Sequence, residues 1–481
     1  MTGRHSVEKI GGTSMAATAT LFDNVLIAGR SGSELYNRIF VVSAYAGMTN
    51  LLLEDKKTGE PGVYQRFVAD DEGADGWRRA MDDVRRAMHE RNATMFVRPA
   101  SRAEADAFVD ARLDAVADCL DDLARLRSHG RFCVKEQLVT ARELLAGLGE
   151  AHSAHSTSLM LRDRDVNALF VDLTGWDQED LRTLDERIEE ALGDVDLATT
   201  MPIVTGYAGC RGGMVRRFSR GYTEMTFSRI AVLTGAREAI IHKEFHLSSA
   251  DPKLVGEDKA RKIGRTNYDV ADQLANVGME AIHPGAGRGL RQTDIPLRVR
   301  NTFDREDPGT LVSGTYVSDV PRVEIVTGIR HMQALQFFEQ DMVGVKGYDS
   351  AILDALARHG LWIVSKSSNA NTITHYLSAS ADAVKKVIAD LENAYPDAAI
   401  SAHPVAMVSV IGSDISRPGL VPDALRALED AGISMIAMQH QIRNVDVQFI
   451  VQGRNFERAI RVLHKALVES DELAGEGRRA A

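Results

Sequence analysis

The stretch Lys9-Ile10-Gly11-Gly12-Thr13-Ser14 lies between a short apolar strand that ends at Ile10 and a helical pattern that continues to about Arg30. Two consecutive glycines let a backbone approach a ligand closely, and amides at the start of the following helix can bind an anion. Lys9, at the end of the strand, could reach a phosphate group. The lysine precedes the glycines, whereas in a Walker P-loop it follows them. An ordinary tight turn with a surface lysine is the alternative interpretation.

Apolar runs alternate with helical patterns after this stretch. The runs that predict strands are 39–43, 168–171, 203–204, 238–242 and 295–299. This alternation is typical of an α/β domain with a mostly parallel, open sheet. Heavily charged helical patterns at about 60–130 interrupt it, and we interpret them as an insertion into that domain. A further helix is predicted around Glu136 to Leu145.

The C-terminal third contains a repeat with a register of about 70 residues. Each copy has the pattern βαββ plus a helix, and the first strands are predicted at Val343-Gly344-Val345 and Val408-Ser409-Val410. Two small α+β modules packed side by side would explain it, and chance similarity is the alternative. The predicted division is a domain at 1–320, a first module at 330–398 and a second at 404–470.

Charge and composition exclude several classes of function. The chain has 481 residues with 57 Lys plus Arg against 68 Asp plus Glu, a net charge of −11. An acidic chain is a poor binder of nucleic acid or of an anionic membrane surface, since both need a basic patch. The longest uncharged run, Ile39 to Leu53, is too short and too polar to span a bilayer. Three scattered cysteines suit a reducing compartment, so a cytoplasmic protein is expected.

Three other segments offer candidate binding residues. Ser43 to Asn50 follows a predicted strand, where ligands bind in open α/β sheets, although Thr49 or Asn50 could simply cap a helix. Arg216 to Glu224 is a cationic loop in which Arg220 could bind a carboxylate and Glu224 could hold a lysine or an amine. Glu136 alone would be read as an exposed acid at a helix start. No metal site is predicted, because His152 and His155 lack a third ligand.

Taken together, these segments resemble the aspartate kinases of the amino-acid kinase family. Lys9 to Ser14 resembles the family's K-F-G-G-T-S opening, and Ser43 to Asn50 resembles its V-S-A-x-x-G-x-T-N segment. Further matches occur in the same order along the chain: Thr205-Gly206-Tyr207, Arg220 to Thr226, Ala250-Asp251-Pro252-Lys253, His283-Pro284 and Gly309-Thr310. The terminal repeat is similar to the paired ACT modules of these enzymes.

The resemblance implies transfer of the γ-phosphoryl group of ATP to the side-chain carboxylate of L-aspartate, which gives 4-phospho-L-aspartate. It implies that Lys9 stabilises the transferring group and that Glu224 orients Lys9. The phosphates would be bound by Gly11, Gly12 and Thr13, and Mg²⁺ mainly by ATP oxygens and water. The resemblance assigns these residues to aspartate, with Glu136 on its ammonium group: Ser43, Thr49, Glu136, Arg220 and Thr223.

On the nucleotide side the chain departs from the family. His242-Lys243 and Ser248 replace the usual residues, Lys253 is carried over to ATP, and Glu280 reverses a charge. Distinctive strings at 8–15 and 51–64 resemble the branch associated with ectoine synthesis. The resemblance also implies a homodimer through the ACT modules. A kinase of another amino acid such as glutamate, or a catalytically silent amino-acid sensor, are the alternatives.

Overall fold

The computed structural model describes residues 3–55, 58–69, 75–176, 182–218, 221–279 and 282–469. The strands are β1 (Ser6–Ile10), β2 (Arg38–Val42), β3 (Ala168–Val171), β4 (Met201–Thr205), β5 (Glu238–Lys243), β6 (Arg265–Asn267), β7 (Leu297–Asn301), β8 (Thr310–Ser313), β9 (Ile325–Phe338), β10 (Trp362–Ser368), β11 (Thr372–Ser378), β12 (Ala399–Ile411), β13 (Met435–His440) and β14 (Asp446–Val451). The helices are α1 (Gly12–Ala16), α2 (Thr18–Leu21), α3 (Met48–Leu52), α4 (Val63–Ala69), α5 (Asp75–Met95), α6 (Pro99–Ser128), α7 (Lys135–Arg162), α8 (Leu184–Leu192), α9 (Met214–Arg217), α10 (Tyr222–Leu233), α11 (Pro252–Val255), α12 (Tyr268–Asn276), α13 (Pro284–Gln292), α14 (Tyr348–Arg358), α15 (Ala381–Ala394), α16 (Leu420–Asp430) and α17 (Phe456–His464).

The chain forms two compact units. The first contains 1–246 and 282–314, and the second contains 247–281 and 315–481. This differs from the predicted domain at 1–320, because 247–281 belongs to the second unit. Its side chains Leu247, Val270 and Leu274 share a buried cluster with residues far along the chain, namely Ile325, Ile411 and Val445. Contacts between residues so far apart in sequence leave no periodic pattern in either segment from which they could be predicted.

The first unit is built on a mostly parallel sheet, as predicted. Its strands lie in the order β3-β4-β2-β1-β5-β7-β8. All neighbours are parallel except β7 and β8, which are antiparallel. The central strands are buried along their whole length, as expected for a sheet with helices on both faces.

Charged helices α5 and α6 make up most of the predicted insertion. Together with α4 they cover one end of α7 through a buried cluster that includes Trp77, Val84, Leu113 and Leu145. Their outer faces carry arginine–aspartate pairs such as Arg85 with Asp110. Amphipathic helices of this kind therefore add a layer to the first unit and leave the order of its sheet unchanged.

The second unit contains the two predicted modules, each with the order βαββα. The first runs from β9 to α15 and the second from β12 to α17. Their strands form one antiparallel sheet in the order β10-β11-β9-β12-β14-β13, because β9 and β12 pair along almost their full length. Each module has its own core; Phe337 and Leu356 lie in the first, Phe449 and Leu463 in the second.

The predicted strand at Val343-Gly344-Val345 was wrong. The first strand of that module is β9, and Val343 and Val345 are more than half exposed. Gly344 has a positive φ of 79°, which suits a turn. The local V-G-V pattern resembled a strand, whereas the hydrophobic residues that enter the core lie further upstream. Among the described residues, no helix is long and apolar enough to cross a membrane.

Candidate active site

The carboxyl ends of four parallel strands bring polar groups to one edge of the first sheet. Lys9 and Lys243 lie at the ends of β1 and β5. Ser43 directly follows β2 and Gly206 directly follows β4. In open α/β sheets this edge is where ligands bind. The structure thus places several of the predicted residues on one side of the molecule.

Lys9 forms a largely buried ion pair that the family resemblance implied. Its Nζ lies 3.3 Å from Oε1 of Glu224, in the first turn of α10. Burial opposes ionisation of Glu224, but Lys9, Lys243 and the backbone amide of His283 hold its pKa below the ordinary value. Glu224 is therefore an anion with two lysines around it, and it fixes the direction of the Lys9 side chain.

A glycine turn positions Glu224. Gly221 precedes α10 with a φ of 79°, and a Cβ there would lie 2.6 Å from Cδ2 of His283. Residue 221 must therefore lack a side chain for the turn to pack against His283. The amide of His283 then donates to Oε2 of Glu224, while Lys9 takes Oε1.

The two glycines after Lys9 have different surroundings. A Cβ on Gly12 would lie 2.7 Å from the carbonyl oxygen of Ala44, and the amide of Ala46 donates to the carbonyl of Gly12 at 3.2 Å. Gly12 thus lets the turn after β1 pack against the turn after β2. At Gly11 the nearest atom to such a Cβ is 3.7 Å away. Thr13 is exposed, so a phosphate role for these residues stays a prediction.

The predicted aspartate residues Ser43, Thr49 and Thr223 lie around the same edge. Ser43 is held by its amide, which donates to the carbonyl of Ile10 at 3.1 Å. Thr49 makes a side-chain hydrogen bond with Tyr222. Thr223, next to Glu224, is buried. Short hydroxyl side chains here provide donors and acceptors without filling the space.

Glu150, a buried acid in the middle of α7, is not among the site residues predicted from the sequence. Its Oε1 accepts a hydrogen bond from Oγ1 of Thr223 at 2.8 Å, and its Oε2 makes no hydrogen bond of ordinary geometry. Burial raises the pKa of Glu150 to about 8, against the hydrogen bond of Thr223, the backbone of Tyr207 and Ala44 and the positive charge on Lys9. A buried acid with an unused oxygen beside a cluster of charged groups is a candidate for binding or catalysis.

Two helical glycines bring Glu150 to the edge. A Cβ on Gly149 would lie 2.8 Å from that of Ala44, and one on Gly147 would lie 2.9 Å from the ring of Tyr207. Helix α7 therefore packs directly against the loops after β2 and β4. The sequence held a signal, because Glu150 is the only charged residue between Leu144 and Leu161.

Glu136 does not join this group, which corrects its predicted role. It precedes Glu150 by fourteen residues on the same helix, a distance of about 21 Å at 1.5 Å per residue. Its side chain is 76% exposed and pairs with Arg216 at 3.3 Å. It borders a cavity of 320 Å³ that also contains Thr140 and Glu143. One small amino acid cannot bridge Glu136 and Thr223.

Glu143, about two turns further along α7 than Glu136, holds the loop that precedes the predicted Arg220. Its Oε2 accepts from the hydroxyl of Tyr207 at 2.7 Å and from the amides of Met214 and Val215 at 3.0 Å. Its Oε1 accepts from the amide of Arg216 at 2.8 Å. Glu143 therefore anchors the entry to the cationic segment. Arg220 itself lies outside the described residues, as does Glu280, so its role stays a prediction.

His242 has a structural environment, which corrects its assignment to ATP. Its Nε2 lies 2.8 Å from Oε2 of Glu8 inside the sheet. Arg38 binds the same carboxylate through Nε at 2.7 Å and donates to the carbonyls of Val25 and Leu26. The pKa of Glu8 lies well below the ordinary value, because Arg38 and His242 outweigh its burial. His242 thus completes a buried ion cluster.

The other nucleotide residues have different placements. Lys243 contributes positive charge at Glu224, which agrees with a role near phosphates. Ser248 and Lys253 belong to the second unit, where the hydroxyl of Ser248 donates to the carbonyl of Ala250 at 2.7 Å and Lys253 is exposed. Their assignment to ATP stays a prediction.

One group of described side chains has atoms close enough for a metal ion. His246, Asp304 and Asp307 have potential ligand atoms within 4.8 Å of one another. Nε2 of His246 lies 3.1 Å from Asp304, and Oδ1 of Asp307 accepts from the amide of Gly309. An ion pair in a tight turn accounts for this arrangement.

Comparison with known proteins gives consistent relatives. The pattern of the amino acid kinase family matches residues 6–301. Aspartate kinase Ask_Ect of Stutzerimonas stutzeri (strain A1501) is 48% identical over 468 residues, which cover 97% of this chain and 98% of that protein. The aspartokinase of Geobacillus stearothermophilus is 25% identical over 69% of this chain and 83% of that protein.

A solved structure of E. coli aspartokinase III, with aspartate and ADP, has a similar fold. Its TM-score is 0.72 at 20% identity, and the match covers 96% of this chain and 100% of that one. The match to the form with lysine and aspartate has a TM-score of 0.73. The family pattern spans more than half of the chain, and a relative at 48% identity spans nearly all of it. The chain belongs to the amino acid kinase family.

Proposed function

We propose that this chain is an ATP-dependent aspartate kinase, which transfers the γ-phosphoryl group of ATP to the side-chain carboxylate of L-aspartate and forms 4-phospho-L-aspartate. The observation that carries the proposal is the pairing of Lys9 with Glu224 next to the Glu150–Thr223 hydrogen bond. The nearly full-length relative named an aspartate kinase supports the choice of substrate.

Phosphoryl transfer needs charge neutralisation and positioning, with little covalent chemistry from the protein. Lys9 supplies the positive charge at the point of transfer. Glu224 keeps Lys9 in place and does not act as a base, because the carboxylate of the substrate is already a nucleophile. The ion pair is largely buried, so its electrostatic effect is stronger than it would be in water.

Glu150 binds the ammonium group of the substrate in this proposal, in place of Glu136. Its Oε2 is buried and makes no ordinary hydrogen bond, so it can accept one from the incoming ammonium. The new positive charge would bring the pKa of Glu150 down from about 8, so the bound acid is ionised. Ser43, Thr49 and Thr223 add short polar contacts to the substrate. Arg220 binds the carboxylate of aspartate that is not phosphorylated.

The nucleotide phosphates lie against Gly11, Gly12 and Thr13, with Lys243 as the second cation. The two acids at the edge are engaged, Glu224 by Lys9 and His283 and Glu150 by Thr223. Mg²⁺ would be held by ATP oxygens and water, which its reluctance to dehydrate favours.

The product enters aspartate-family biosynthesis, and we propose the ectoine branch because the 48% identical relative is the one named Ask_Ect. We also propose a homodimer through the sheet of the second unit. Large apolar side chains on its edge strands support this assembly, since Trp362 is 66% exposed and Ile436 is 52% exposed.

Two variants separate the roles of His242 and Lys243. Lys243→Ala is expected to raise the KM for ATP about tenfold, which corresponds to about 1.4 kcal/mol for one lost phosphate contact. His242→Asn is expected to lower the melting temperature, because Glu8 loses a buried partner, and to leave the KM for ATP within about twofold of wild type. Steady-state kinetics and thermal unfolding measure both. If His242→Asn raised the KM for ATP as much as Lys243→Ala does, His242 would again be assigned to the nucleotide site.

Trapping of the acyl phosphate with hydroxylamine tests the proposed function. With ATP, Mg²⁺ and L-aspartate, the purified chain is expected to form aspartyl hydroxamate in proportion to ADP. L-glutamate at equal concentration is expected to give at least about tenfold less product, since one extra methylene displaces the reacting carboxylate. No hydroxamate from aspartate at any salt concentration would contradict the proposal, and a preference for glutamate would change the substrate.

A further inference from the structure

A second pocket lies on the first unit, at the ends of the strands opposite to Lys9. It has a volume of 670 Å³. Ser6, Arg38 and Glu238, the first residues of β1, β2 and β5, contribute to its lining. In a parallel sheet the first and last residues of the strands lie at opposite edges, so this pocket is distinct from the proposed site of phosphoryl transfer.

The lining of this pocket is strongly cationic. Three acids, Glu8, Glu34 and Glu238, are outnumbered by six arginines, Arg4, Arg30, Arg38, Arg237, Arg298 and Arg300. The local excess of three positive charges occurs in a chain whose net charge is −11. A cluster of one sign that opposes the charge of the whole chain requires an explanation.

Two of the three acids, Glu8 and Glu238, are already engaged by arginines. Arg38 binds Glu8 at 2.7 Å, and Arg298 binds Glu238 at 2.8 Å. Arg300 donates only to the backbone carbonyls of Arg305 and Asp307. Among the described residues, Arg30 and Arg300 therefore have no carboxylate partner.

Arg30 carries a donor that the described residues leave without an acceptor. Its Nη1 is buried and has no hydrogen-bond partner. Burial lowers the pKa of Arg30, and the positive charges of Arg38, Arg300 and Arg305 add to that effect beyond what Glu8 restores. A guanidinium held among like charges with a buried, unused donor is stabilised when an anion binds to it.

We propose that this pocket binds a small polyanion with at least two phosphate or carboxylate groups, and that Arg30 and Arg300 are its main ligands. The planar guanidinium matches both kinds of anion through paired hydrogen bonds. The volume lies within the range of about 300–1,000 Å³ that small-molecule sites have. The site is independent of the proposed kinase activity.

Calorimetric titration with inorganic pyrophosphate and with citrate tests the proposal. A non-hydrolysable ATP analogue and L-aspartate are kept saturating, so that the phosphate-binding edge near Lys9 is occupied. Wild type is expected to bind at least one probe, and the tighter probe shows whether phosphate or carboxylate is preferred. Arg30→Met and Arg300→Met are each expected to weaken that binding at least tenfold. Arg98→Met, which removes a 66% exposed arginine from another surface, is the matched control and is expected to bind as wild type does.

Thermal unfolding distinguishes a ligand site from a structural role. Without a probe, Arg30→Met is expected to melt no lower than wild type, because it relieves repulsion among arginines. With the probe, only wild type and Arg98→Met are expected to melt at a higher temperature. The proposal is overturned if both probes bind wild type more weakly than about 1 mM, or if Arg30→Met and Arg300→Met bind as tightly as wild type.

Discussion

Replacement of Lys9 by alanine is expected to reduce kcat by a factor of about 10³, which corresponds to about 4 kcal/mol of lost transition-state stabilisation. The positive charge of Lys9 acts on the phosphoryl group only when charge develops there, and it lies ready in place because Glu224 holds it at 3.3 Å. The loss is therefore expected mainly in kcat, with smaller changes in both KM values. Hydroxamate formation at saturating ATP and aspartate measures it.

Two further lysine variants serve as controls for Lys9→Ala. Lys9→Arg retains the charge on a bulkier, planar group and is expected to recover only part of the activity. Lys385→Ala removes an exposed lysine of α15 and is expected to have no effect on turnover. Turnover of Lys9→Ala within about threefold of wild type, in a chain with an unchanged melting temperature, would remove Lys9 from the transfer step.

Replacement of Glu150 by glutamine is expected to raise the KM for aspartate at least about 100-fold, while the KM for ATP stays near wild type. Breaking a buried charge pair by removal of one partner costs about 3–5 kcal/mol. Glutamine has nearly the same shape and can still accept the hydrogen bond from Thr223, so the fold is retained. The loss then reports the missing charge alone.

The pH dependence gives a second readout of Glu150. Because its pKa is raised to about 8, the free enzyme carries a mostly protonated Glu150 at pH 7. The ionised form binds the ammonium group, so kcat/KM for aspartate is expected to rise up to about pH 8 and then level off. The effect of pH on stability has the opposite direction. Because the pKa of Glu150 is raised in the folded chain, this group stabilises the unliganded chain at low pH, and that contribution is lost as the pH rises through about 8.

Glu150→Gln is expected to lack both pH effects, since glutamine does not titrate in this range. Rate measurements and denaturant unfolding between pH 6 and pH 9 compare it with wild type. An unchanged rise of kcat/KM in the glutamine variant would assign the titration to another group. Glu143 is the acid of the same helix to compare with Glu150, because backbone amides of the neighbouring loop already donate to its carboxylate.

The parts of the fold that depend on local pattern could be predicted from the sequence. Strand β1, the glycine turn after it and the return of Glu224 to Lys9 follow from short motifs at the ends of parallel strands. The βαββα repeat could also be predicted, because each module buries one face of its own helices. In these regions neighbouring residues determine the structure.

Helix α7 shows why other parts could not be predicted. Gly147, Gly149 and the serines and histidines that follow are weak helix formers, so the predicted helix stopped at Leu145 although α7 continues to Arg162. Burial of 145–161 overrides that local preference. Glu136 matched the helix start that was predicted, whereas Glu150 lay beyond the predicted end. The acid that we propose for the substrate ammonium therefore lies about four turns beyond the predicted one on the same helix.

His242 shows a second limit. A polar residue at the end of a strand that leads to the ligand edge is reasonably assigned to a ligand. Its actual partner, Glu8, is 234 residues away in sequence and lies on the neighbouring strand, two residues from Ile10, which the register of β1 with β5 places opposite His242. Which polar groups pair inside a sheet depends on strand order, and strand order is a property of the whole unit.

Calorimetric titration of the intact chain with L-aspartate, carried out on a matched pair of variants, shows which acid of α7 binds the substrate. Glu136→Gln and Glu150→Gln make the same chemical change at two positions of α7, one exposed and one buried. Glu136→Gln is expected to bind aspartate as wild type does, and Glu150→Gln is expected to lose at least about 100-fold in affinity. Loss of binding in Glu136→Gln with retention in Glu150→Gln would contradict this expectation.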